Sequence, residues 1–193
     1  HRQHPAAQIA RRWLREMPQH KFWRRVWETC LSFAPNDLTL IKIGRLWINQ
    51  TPPTVEGWSF VWNRLWSLVQ GNSELDQKAR AWLRVAPPKH ASWRHLWLPL
   101  WENSPGDSEL ESLALNWIQQ ASLARDSWSY VWERLWAFRP RPELVNEGKR
   151  WLGTTLPQNE SWHRVWATLR ASYPEDQELT DLAINWLQDP RSF

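Results

Sequence analysis

Apolar and polar positions follow a helical period along the chain, with a longer period of about 35 residues above it. Trp128, Val131, Trp132, Leu135 and Trp136 stand at i, i+3, i+4, i+7 and i+8. At about 100° per residue these positions share one face of an α-helix. A strand would need strict alternation, which Val131-Trp132 and Leu135-Trp136 break. Ser129, Glu133 and Arg134 between them are polar and are expected to face outward.

The same face recurs. Its first tryptophan returns as Trp23, Trp58, Trp93, Trp128 and Trp162, in steps of 35, 35, 35 and 34 residues. Its second returns as Trp27, Trp62, Trp97, Trp132 and Trp166. A second ladder runs half a period away through Trp13, Trp47, Trp82, Trp117, Trp151 and Trp186. A small residue stands three positions before each: Ala10, Gly44, Ala79, Ala114, Gly148 and Ala183. Seven before stands Leu40, Leu75, Leu110, Leu144 or Leu179, with Ala6 in the first copy. Positions −7, −3, 0 and +1 again form one helical face, and the small residue lets a neighbouring helix approach closely. Helices of the first kind are called A-type below, and those of the second B-type.

In chain order the pattern predicts an unpaired B-type helix at 5–18, then helix pairs at 19–52, 53–87, 88–122, 123–157 and 158–189. Pro5 suits a first helical turn and Pro18 a stop. Asn36 or Asp37, Ser73 and Asn159 are expected N-caps, Gly71 a C-terminal stop, Gly153 a residue just past its helix, Pro174 the opening of the last helix, and Pro190 the close of the array. Pro99 is expected to kink its helix. The result is an all-α chain of eleven helices, read as one α-solenoid domain over 1–193 and as a piece of a larger protein. A single pair cannot bury its own tryptophan face; stacking the pairs does.

Composition sharpens this picture. The 193 residues include 19 tryptophans, most of them on the two ladders, so a periodic architecture accounts for them. No run of about 20 apolar residues predicts a membrane span. The single cysteine, Cys30, excludes an internal disulfide, fits a reducing, cytoplasmic setting, and is expected to be a buried, inert thiol where other copies carry Leu. Residues 1–50 hold nine Lys or Arg against three Asp or Glu, whereas residues 155–193 hold three against six. A basic end can draw an acidic partner or simply be a solvated helix face.

A two-helix unit of 34 or 35 residues, with an early aromatic in its first helix and a small residue in its second, resembles the tetratricopeptide repeat. The resemblance spans nearly the whole chain and implies a right-handed superhelix whose first helices meet ligands. The position four after the early Trp is small in that family and is Trp27, Trp62, Trp97, Trp132 or Trp166 here, so the packing must differ. The near-identical copies also resemble, in style of repetition, the sensor arrays of NLR-like (STAND) proteins.

On that resemblance, two sets of positions are candidate partner contacts. One is the third tryptophan, Trp66, Trp101 and Trp136, at the edge of the apolar stripe, where the end copies carry Leu31 and Arg170. These rings either line a binding face or fill space between repeats. The other set is two positions after the first tryptophan: Arg25, Phe60, His95, Tyr130 and Arg164. The positions one after it, Arg24, Ser59, Arg94, Ser129 and His163, are further candidates. The histidines show no metal-ligand spacing, and neither a phosphate loop nor a nucleophile elbow is present. The chain therefore reads as an interaction scaffold for a protein or peptide, without cofactor, metal site, membrane partner or enzymatic role. A single-stranded RNA or DNA binder is the alternative, stacking bases on tryptophan.

Overall fold

A computed structural model of the chain describes residues 5–69, 71–87, 90, 92–121, 126–155 and 159–189. The described residues form eleven α-helices and no strand. They are α1 (Pro5–Glu16), α2 (Trp23–Phe33), α3 (Leu38–Gln50), α4 (Trp58–Leu68), α5 (Ser73–Val85), α6 (Trp93–Asn103), α7 (Ser108–Gln120), α8 (Asp126–Phe138), α9 (Pro142–Thr154), α10 (Trp162–Ser172) and α11 (Gln177–Gln188). No helix among the described residues is long and apolar enough to cross a membrane. The expected boundaries at 88, 122–123 and 157–158, and Pro190, lie outside the described residues.

The chain divides into two compact units, His1–Trp82 and Leu83–Phe193. Within the first, α1 packs on α2, α2 on α3 and α3 on α4, and α1 also meets α3. Within the second, each helix from α6 to α11 packs on the next, α6 meets α8, and α9 meets α11. Contacts to the next helix and to the next but one fit a helical repeat array.

The helix ends follow from local chemistry, with some corrections to the expected caps. Asp37 caps α3 by accepting from the backbone N–H groups of Thr39 and Leu40, and Asp107 caps α7 in the same way. For α5 the cap is not Ser73, which is already helical; Asn72 Oδ1 accepts from the N–H of Leu75. Asn159 accepts from the N–H of Ser161, so it shapes the turn before α10 rather than capping the helix. Pro174 lies in the turn ahead of Asp176, which caps α11 through the N–H of Leu179. Gly153 lies inside α9, and α6 remains one helix through Pro99. Gly71 adopts φ of +77° just beyond α4, a conformation that costs glycine little.

Three of the caps join one B-type helix to another. Arg11 of α1 pairs with the cap Asp37, and Arg141, at the N-cap of α9, pairs with Glu111 of α7. Lys149 of α9 donates to the cap Asp176 at 2.5 Å and to Glu178 at 2.8 Å.

Tryptophan is used here for its N–H as well as its area. The second indole of each A-type helix donates to the carbonyl seven positions before a B-type tryptophan. Trp27 donates to Leu40, Trp62 to Leu75, Trp97 to Leu110, Trp132 to Leu144 and Trp166 to Leu179, at 2.7–2.9 Å. The first indole reaches back instead: Trp23 donates to Leu14, Trp58 to Ile48, Trp128 to Ile118 and Trp162 to Leu152. A buried indole N–H without an acceptor would cost about 1–3 kcal/mol. Phe would fill these sites but could not pin the register.

Candidate functional site

The third tryptophans are core. Trp66, Trp101 and Trp136 are 4%, 3% and 7% exposed. Each continues a run of near-parallel rings, lying 5.4 Å from Trp62, 5.3 Å from Trp97 and 5.0 Å from Trp132. In the second unit the runs are four rings long, Trp117-Trp93-Trp97-Trp101 and Trp151-Trp128-Trp132-Trp136. Phe138 of α8 closes the first run, its ring edge-on to Trp101 at 5.3 Å. Rings this deeply buried act as packing elements.

The positions two after the first tryptophan separate into distinct environments. Phe60 is 47% exposed and Tyr130 42%. Arg24 of α2 lies over Phe60 with its guanidinium carbon 4.7 Å from the ring centroid. Tyr130 receives two arginines, Arg94 of α6 at 4.9 Å and Arg164 of α10 at 5.2 Å. Arg25 is exposed, and His95 is half-buried. Burial, then the charge of Arg94, push the His95 pKa below its ordinary value.

Local structure aims these arginines. Gly57 opens α4 with φ of +92°, and a Cβ there would lie 2.8 Å from Cδ of Arg24. Gly57 therefore supplies both the left-handed turn and the space through which Arg24 reaches Phe60. Arg164 donates to Ser161 Oγ at 3.1 Å and pairs with Glu133 of α8 at 3.4 Å. Arg134 of α8 pairs with Glu102 of α6 at 3.3 Å. In the second unit this gives a surface on α6, α8 and α10 with one ring, three arginines and two carboxylates. Contacts of this kind are worth about 0.5–1 kcal/mol each when exposed, so they restrain the rings without burying them.

Two positions expected to face a ligand do not. Ser59 and Ser129 are buried, at 4% and 0% exposure. Glu102, Glu133 and Arg134 joined the site without having been singled out. The signal for the arginine–ring contacts was an alternation in the paired positions: Arg24-Arg25, Ser59-Phe60, Arg94-His95, Ser129-Tyr130. An arginine precedes each aromatic one repeat earlier, as a cross-helix contact requires.

Among the described residues no three His, Cys, Asp or Glu side chains are grouped so as to hold a metal ion. Cys30 is half-buried, not buried, and burial raises its thiol pKa. Comparison of the chain with family models, curated proteins and solved structures gives no match.

Proposed function

We propose that the chain is a tetratricopeptide-like repeat array whose A-type helices present a binding face for a peptide or protein, as a scaffold or ligand-sensing domain. The observation that supports this is Tyr130, an exposed ring with Arg94 and Arg164 both in cation–π contact with it. Exposed aromatics beside arginine are the residues that dominate interface energetics. They cost little conformational entropy when already fixed. Three arginines against Glu102 and Glu133 favour a partner segment carrying carboxylates.

Single-stranded nucleic acid is the second reading, since an arginine-flanked ring can also stack a base. Glu102 and Glu133 disfavour it, because they already pair with Arg134 and Arg164 and leave less positive charge to neutralise phosphates.

Selection from a random peptide-display library tests the proposal. Recovered peptides should carry acidic residues. The Tyr130→Ala variant should bind them about tenfold or more weakly, with an unchanged melting temperature. Peptides indifferent to Tyr130→Ala and to Arg94→Ala would overturn the assignment of the face. Binding of single-stranded RNA that falls steeply with salt and is lost in the same variants would replace peptide with nucleic acid.

A further inference from the structure

Two turns of the first unit enclose a cleft. The turn between α1 and α2 is held by two hydrogen bonds. The Trp47 indole donates to the Pro18 carbonyl at 2.8 Å, and His20 Nδ1 accepts from the N–H of Phe22 at 3.2 Å. The turn between α3 and α4 is closed by backbone bonds from Val55 N–H to the Pro52 carbonyl and from Trp58 N–H to the Val55 carbonyl. The cleft between the two turns has a volume of about 280 Å³. Among the described residues none before Pro18 lines it, so its walls are internal to the array. The volume lies just below the roughly 300–1,000 Å³ of clefts for drug-sized ligands, which suits one ring on a short chain.

The walls carry hydrogen-bond donors, positive charge and apolar surface. Thr51 lines the cleft and is only 5% exposed, yet among the described residues its hydroxyl has no hydrogen-bond partner. Buried hydroxyls are normally partnered, so this one points to an acceptor on a ligand. Helix α2 starts at the cleft without a side-chain cap. The backbone amides of Arg24 and Arg25, two lining residues, have no acceptor among the described residues. A helix start of this kind carries partial positive charge. Lys21 and Arg25 line the cleft with no carboxylate partner among the described residues, whereas Arg24 is engaged by Glu28 and Phe60. Set against Glu56, which also borders the cleft, Lys21 and Arg25 leave one net positive charge. Beside these groups Phe22 is 46% exposed and Val55 40%.

We infer that this cleft is a binding site for a small apolar monocarboxylate, an organic acid with one negative charge on a body about one ring in size. The carboxylate accepts from the Thr51 hydroxyl and is neutralised by Lys21 and Arg25. The apolar body covers Phe22 and Val55, removing from water two side chains that the fold leaves exposed. Phosphate fits less well, because its second charge would be repelled by Glu56 and it would leave Phe22 and Val55 uncovered. The site is separate from the Tyr130 face and does not depend on it.

The probe is 3-phenylpropionate, titrated into the full chain by calorimetry, with 3-phenylpropanamide and inorganic phosphate as comparisons. The acid should bind saturably, and the uncharged amide about tenfold or more weakly. Thr51→Val removes the hydroxyl and should weaken binding of the acid about tenfold, whereas Thr51→Ser, which keeps it, should restore binding. Lys21→Gln combined with Arg25→Gln changes only exposed side chains and should also weaken binding about tenfold. Glu56→Gln should tighten it, and Tyr130→Ala should leave it unchanged. Circular dichroism should be the same for all these variants. No saturable binding would overturn the inference, as would equal affinity for acid and amide. Binding unaffected by both Thr51→Val and the Lys21 and Arg25 double variant would place the acid elsewhere and overturn it as well. Phosphate binding as tightly as the acid would make the cleft a general anion site and overturn the assignment to an apolar acid.

Discussion

The indole N–H of Trp97 donates to the backbone carbonyl of Leu110 across 2.9 Å, with both residues sealed from solvent. The bond joins α6 to α7 at one atom and sets their register. Trp97→Phe keeps a ring but removes the donor and leaves a void. The expected loss is about 2 kcal/mol in urea unfolding. A change within 0.5 kcal/mol, on the order of an inert surface substitution, would mean that the N–H contributes nothing.

Gly44 and Gly148 look equivalent along the chain and are expected to respond differently to alanine. A Cβ at Gly44 meets the ring of the fully buried Trp27 at 2.6 Å, and the ring has nowhere to go. Gly44→Ala should destabilise by about 1–3 kcal/mol, the usual cost of overpacking. At Gly148 the nearest atoms are a methyl of Leu169 at 2.9 Å and Cζ2 of Trp132 at 3.1 Å, so the crowding is present but milder. The helix-propensity gain of about 0.8–1.0 kcal/mol is the same at both sites, so Gly148→Ala should cost less than Gly44→Ala. Paired thermal melts of the two variants check the contrast.

Replacing Trp66, Trp101 or Trp136 by Ala should cost about 3–5 kcal/mol each. The largest loss is expected at Trp101, because Phe138 then loses its support. Phe33→Ala removes an 86% exposed ring and should change stability by less than about 0.5 kcal/mol. Denaturant titration of the four variants separates core rings from a surface ring.

The chain should lose stability in acid through its N-cap carboxylates. The hydrogen bond from Lys149 leads in holding the Asp176 carboxyl below its usual pKa. At Asp37 burial opposes ionisation, but the hydrogen bonds from Arg11, Thr39 and Leu40 outweigh it and the pKa is also lowered. A carboxylate with a lowered folded-state pKa stabilises fully above its unfolded value, about 3.9 for Asp. That stabilisation is lost as pH falls from there through the folded value. Asp176→Asn keeps a good cap but cannot titrate. Its stability should be lower at neutral pH and flatter between about pH 5 and pH 2, measured by urea unfolding along the pH series.

The spacing of Trp23, Trp27 and Trp47 and of their copies determined the all-helical fold, the two helix types and most of the core. A helical face is a local property, set by residues within a few turns, so it is legible in one dimension. Asp37 as a cap and Gly71 as a stop were legible for the same reason. Only the tertiary structure decided that Trp66, Trp101 and Trp136 are buried, that Ser59 and Ser129 turn inward, and that Arg94 and Arg164 meet on Tyr130. Phe138 reaches Trp101 from 37 positions away, and Arg94 and Arg164 reach Tyr130 from 36 and 34, all brought close by helix packing. It also decided why the ladders are tryptophan. The acceptor for each second indole is a carbonyl on another helix, and a backbone carbonyl leaves no trace in the pattern of side chains.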